Sequence, residues 1–240
     1  MSNYQLVNNI DHQATRVITT RGAQYGDDIM FTMTFPSEMR SVQACYPILI
    51  YKDPDSGELY PVAVFGFAQG ENLFLEGECW NNAYIPMMVR RPPFLIGFQK
   101  SNPAAEPQRV LTIDMDHPRV SESEGEALFL EQGGNSPFLE TMANMLEAIH
   151  TGNEQNKAFM AMLLQLDLVE PITLDITLKD QSRNQLQGFY TLDDEKLQTL
   201  SNQAMGELNN GGFLLPAFMM AASQSQLGKL VKLRDGQASV

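Results

Sequence analysis

A change of hydrophobic period at Gly133-Gly134 constrains this chain more than any other feature of its sequence. Before it, apolar residues alternate in short runs bounded by turn residues, the pattern of strands. After it, Phe138, Met142, Met145 and Ile149 recur at helical spacing and give one apolar face. Strands first and helices afterwards predict an α+β fold rather than a parallel sheet wound through βαβ units. The expected architecture is a mostly antiparallel, β-rich N-terminal half packed with a C-terminal half of four helices and one β-hairpin. A single domain over residues 1–240 is favoured, because the late hairpin needs a surface to pack on. The period change also marks a subdivision into a β-rich 1–132 and a helix-rich 133–240.

The clearest local signal is a hairpin of residues 46–52 and 60–67 around Asp53-Pro54-Asp55-Ser56-Gly57, where Pro fixes φ and Gly supplies a positive φ. Residues 16–19 and 29–33 read as earlier strands, and Pro36 opens a short helix over 37–44. Residues 73–75 read as a short strand and 83–89 as an extended segment. Pro92-Pro93 interrupts it before strands at 94–98 and 110–114, which flank a loop over 100–108. Ser136-Pro137 starts a helix that His150 and Gly152 should close, and a second, largely buried helix follows over 153–168. Residues 172–178 alternate strictly and pair with 185–192. Thr191 or Asp193 caps a helix to about Leu208, and a last helix covers 214–231.

Sixteen Lys plus Arg against 29 Asp plus Glu give a formal charge of −13. That charge opposes general binding to nucleic acid or anionic lipid. No apolar run approaches the ~18 residues of a membrane span. The N-terminus lacks the basic flank and apolar core of a secretory signal, which makes the cytoplasm the expected compartment. Cys45 and Cys79 lack zinc-ligand spacing and are expected to be buried free thiols.

The order of segments resembles the SapC family of bacterial proteins. The residues that carry the resemblance are Tyr46-Pro47-Ile48-Leu49 followed by Gly57 and Pro61-Val62-Ala63, then Gly70-Glu71-Asn72-Leu73-Phe74-Leu75. Trp80 with Tyr84-Ile85-Pro86, Arg90 and Pro92-Phe94 continue it, as does Leu192-Asp193 to Leu197. Pro93 departs from the Arg-x-Pro-Phe run expected of the family. The resemblance implies a protein associated by name with bacterial surface layers. It also implies an accessory role beside halogenase-like and cupin-like neighbours, and brings no reaction or cofactor with it. The transport permease of the same name is a membrane protein, and the hydropathy of this chain excludes it.

Trp80, Tyr84, Arg90 and Arg91 are the ligand-binding candidates. Guanidinium forks suit carboxylate or phosphate, and aromatic rings supply a stacking wall. Their bland alternative is core packing for the rings and surface ion pairs for the arginines. Asp114, Asp116 and His117 group potential metal ligands, but the His-x-Asp order of an iron triad is absent and a turn before Pro118 is the plainer reading. No nucleophile elbow, phosphate loop or dinucleotide motif occurs, so no catalytic residue is assigned. The sequence therefore favours a non-catalytic binding or accessory module for a protein or peptide partner. The alternatives are a surface-layer or cell-surface structural component, reached by an unconventional export route, and an enzyme whose site assembles from distant residues.

Overall fold

The computed structural model describes residues 3–100, 106–177 and 183–237, with side chains left out at 174–177, 183–187 and 237. The middle of the expected loop over 100–108 and the end of the expected strand at Leu178 lie outside the described residues. The fold is α+β, with antiparallel strands dominating the first half and helices the second. Two compact units interleave along the chain. The first holds residues 1–27, 77–79 and 87–151; the second holds 28–76, 80–86 and 152–240.

The first unit contains two three-stranded antiparallel sheets. One orders Tyr4–Leu6, Gln108–Asp114 and Phe94–Gln99; the other orders Val120–Ser121, Arg16–Val17 and Glu126–Ala127. The helical stretch that begins at Pro137 buries Met142, Met145 and Ile149 of the predicted face, together with Leu139 and Leu146, while Phe138 is half-buried. Ser136 starts it as expected: its hydroxyl accepts from the Leu139 N–H at 3.1 Å.

The second unit is built on a five-stranded sheet in the order Val169–Thr177, Arg183–Leu192, Ile48–Lys52, Leu59–Val64, Phe31–Met33. The predicted hairpin is its centre, with Tyr51 opposite Tyr60. Asp53 accepts from the N–H groups of Asp55 and Ser56, and Gly57 takes φ 73°, so the turn chemistry does what the sequence asks. Phe31 on the edge strand and Phe189 three strands away bring their rings within 5.5 Å, which requires a strongly coiled sheet. Ile48, Leu49, Ile50, Val62, Val64 and Phe65 are fully buried there.

Several elements differ from expectation. One helix, Pro137–Gln165, replaces the two expected on either side of Gly152, so His150 lies within a helix rather than closing one. Gly152 does not break the helix because the missing side chain is what the Phe35 ring needs. A Cβ there would sit 2.6 Å from that ring. Leu164, expected inside, is 50% exposed. The helix expected to reach Leu208 is two: Asp193 caps Asp194–Gln198, and Ser201 caps Asn202–Asn210. The last helix likewise divides into Leu214–Ser223, a 3-10 turn Gln224–Gln226, and Leu227–Gln237. Residues 73–75 are mostly turn, and Met87–Arg90 is a short helix where an extended chain was expected. Cys45 is buried, whereas Cys79 is exposed; both are free thiols. Among the described residues no helix is long and apolar enough to cross a membrane.

Candidate functional site

The four ligand-binding candidates divide between the two units, Trp80 and Tyr84 falling in the second, Arg90 and Arg91 in the first. The aromatic pair is built into a hydrogen-bonded chain. Trp80 Nε1 donates to the Tyr46 hydroxyl at 2.7 Å, Tyr46 donates to the Tyr84 carbonyl, and the Tyr84 hydroxyl donates to Glu38 at 2.8 Å. Thr34 donates to the other Glu38 oxygen at 2.9 Å. The Trp80 ring meets Phe65 edge-on at 5.2 Å. Burial drives the Tyr46 phenol above its ordinary range, so its proton stays in place and donates. These groups hold residues 80–86 against the hairpin through their polar ends.

Arg90 and Arg91, adjacent in sequence, enter different cavities. Arg90 lines a cleft of about 420 Å³ that is walled by Val17, Ile18, Pro92, Phe138 and Met142. Arg21 and Arg119 line the same cleft, and neither has an arginine neighbour in sequence to mark it. Both are held by Asp27. Arg119 Nη2 donates to Asp27 Oδ2 at 2.6 Å, with side-chain exposures of only 2% and 4%. Its Nη1 donates to the carbonyls of Ile18 and Thr20, and its guanidinium lies 4.7 Å from the Tyr25 ring centre. Arg21 Nη1 sits 3.6 Å from Asp27 Oδ1 and donates to the Val89 carbonyl at 3.1 Å.

The loop from Arg21 to Asp27 is shaped for this task. Gly26 takes φ 79°, a left-handed conformation that a side chain resists, and ends the 3-10 turn Ala23–Tyr25. The Gly22 N–H then donates to Asp27 Oδ2 at 2.9 Å and closes the loop on itself. The local part of the site is thus Arg-Gly-Ala-Gln-Tyr-Gly-Asp over residues 21–27, with Arg119 arriving 92 residues after Asp27.

Arg21 and Arg119 face the buried Asp27 carboxylate, and Arg90 and the exposed Glu126 line the same cleft. Burial, then the charge of Arg119, lowers the Arg21 pKa, with Arg90 adding to the repulsion and Asp27 opposing it. No hydrogen bond or ion pair ties the Arg90 guanidinium to another described residue. The cleft is therefore a positive site with fixed walls and one uncommitted fork. The start of the helix Pro137–Gln165 adds the positive end of its dipole, since Pro137, Phe138 and Thr141 line the cleft too.

Arg91 lines a smaller cavity of about 180 Å³ together with Tyr4, Pro92, Asp114 and His117. Its Nε is buried without a hydrogen bond, and burial lowers its pKa. Asp114 here is turn-forming: it accepts from the N–H groups of Asn3 and Asp116. His117 Nδ1 accepts from the Arg119 N–H at 3.1 Å, and Asp116 is exposed. Among the described residues no three His, Cys, Asp or Glu side chains converge as metal ligands.

No curated protein and no solved structure matches the chain. The SapC family model matches residues 7–230, nearly its whole length, and the chain belongs to the SapC family.

Proposed function

We infer that this protein is a non-catalytic binding or accessory module that captures a protein or peptide partner by an anionic group seated in the arginine cleft. The observation that carries this reading is Arg90, an uncommitted guanidinium beside two arginines that Asp27 holds in place. A planar fork left free in a walled cleft suits bidentate contact with a carboxylate or phosphate. Preorganisation adds to this, because Arg21 and Arg119 are already ordered and lose little freedom on binding. The cleft size lies within the ~300–1,000 Å³ range of ligand sites.

A capture experiment tests it. The wild-type protein, immobilised and exposed to native lysate of its source, should retain a defined partner set. Arg90→Ala should lose that set while keeping its thermal melt, since Arg90 makes no described polar contact within the fold. Arg109→Ala, which removes an exposed ion pair to Glu147 (3.1 Å), should retain it. Equal capture by all three proteins would contradict the assignment.

A further inference from the structure

The geometry points to the C-terminal carboxylate of an apolar-ended peptide as the group this cleft takes, a step that rests on the reading above and narrows it. Three observations support it.

The first is charge. Asp27 offsets one of the three guanidiniums and Glu126 on the lining offsets another, which leaves one net positive charge. A single carboxylate matches that charge, whereas a phosphate dianion exceeds it. The formal −13 of the whole chain acts in the same direction, because it repels polyanions and acidic peptides more than a monoanion.

The second is the division of labour among the donors. Arg119 and Arg21 spend N–H groups on Asp27 and on the carbonyls of Ile18, Thr20 and Val89. Arg90 alone keeps its whole fork, and one planar fork reads one planar carboxylate.

The third is the wall. Val17, Ile18, Pro92, Phe138 and Met142 surround the fork with apolar surface, a place for the side chain next to the carboxylate. Burying a Leu or Phe side chain contributes roughly 1.5–3 kcal/mol. A carboxylate on a bare, polar surface would need no such wall. Thr19, exposed on the lining, offers a hydroxyl to the amide that a peptide end carries on the α-carbon next to its carboxylate. A free apolar acid has the same head and tail but lacks that amide.

The test uses the full-length protein and a peptide library with free C-termini whose last two positions are drawn from Val, Leu, Ile and Phe. The same library is also prepared with amidated ends and with an internal phosphoserine plus an amidated end. Enriched free-acid peptides should bind at least tenfold tighter than their amides by fluorescence polarisation. Arg90→Ala should erase that preference, and Arg109→Ala should leave it. Octanoate, which lacks the amide, should displace the peptide only at large molar excess, whereas N-acetyl-leucine, which carries the carboxylate, the apolar side chain and the amide, should compete at lower concentration than octanoate.

Equal binding of acids and amides overturns the inference, as does stronger binding of the phosphoserine library. Displacement by stoichiometric octanoate also overturns it, because the ligand is then a small acid. If no library binds while lysate capture still depends on Arg90, the C-terminal inference fails and the broader anion reading stands. If lysate capture is also indifferent to Arg90, both fail.

Discussion

Asp27 is the residue on which the cleft depends. It is 3% exposed and carries Arg119, Arg21 and the Gly22 N–H on one carboxylate. Removing one member of a buried ion pair typically costs ~3–5 kcal/mol, because the partner charge stays behind in a low-dielectric site. Asp27→Asn should therefore lower stability to urea by about that amount and, in any surviving fold, loosen Arg21 and Arg119. Denaturation midpoints with an unchanged m-value check the first part. His117 makes a separate, pH-dependent contribution. Burial first and Arg119 second hold its pKa below the ordinary value of 6.5, against the opposing pull of Asp114 and Asp27. The unfolded chain thus takes up this proton before the folded chain does. Stability that is complete above the ordinary value is lost as the pH falls from there toward the lowered folded value. Protonation at Nδ1 would also break the bond it accepts from the Arg119 N–H. His117→Gln should flatten stability against pH in the range below the ordinary value of 6.5 relative to wild type, read from urea midpoints measured above and below it. An unchanged slope would contradict this role of His117.

At the scale of elements, Gly152 shows how tertiary packing overrides a helix-breaking signal. The residue sits inside Pro137–Gln165, where Ala would ordinarily stabilise by ~1 kcal/mol. Here an added Cβ would meet the Phe35 ring at 2.6 Å, and Phe35 is fully buried. Gly152→Ala should therefore destabilise, by ~1–3 kcal/mol of overpacking; a higher melting temperature would contradict this packing account. The same helix explains why its continuity was not legible: His150 and Gly152 together read as an ending, and Phe35, far away in sequence, reverses that reading. Local signals that close on themselves were legible. The 46–64 hairpin, its Asp53 turn, the Ser136 start and the apolar face through Ile149 all follow from neighbours a few residues apart. Of the cleft, only Arg90 was legible, as one of two adjacent arginines. Arg21, Asp27 and Arg119 become partners through the fold, across up to 98 residues of chain, and no periodicity announces them. Trp80 and Tyr84 stood out by residue type, yet their polar ends are engaged with Tyr46 and Glu38.

For the whole molecule, the interleaving of the two units matters most. The five-stranded sheet draws Phe31–Met33, Ile48–Lys52 and Leu59–Val64 from before Gly133-Gly134, and Val169–Thr177 and Arg183–Leu192 from after it. The change of hydrophobic period is thus a change in element type within shared structure. Charge is divided unevenly as well: a chain at −13 keeps a compact positive cleft in its first unit. A local positive site in a negative field favours small or singly charged anions and disfavours nucleic acid. An arginine footprint reads the occupancy of the Arg90 cleft itself. The protein is treated with phenylglyoxal alone and with its captured partner in place, and modification at each arginine is read by mass spectrometry. Arg90 should be modified in the free protein and protected in the complex, while the exposed Arg109 should react equally in both. An Arg90 that reacts at the same rate with the partner bound would contradict capture by this cleft.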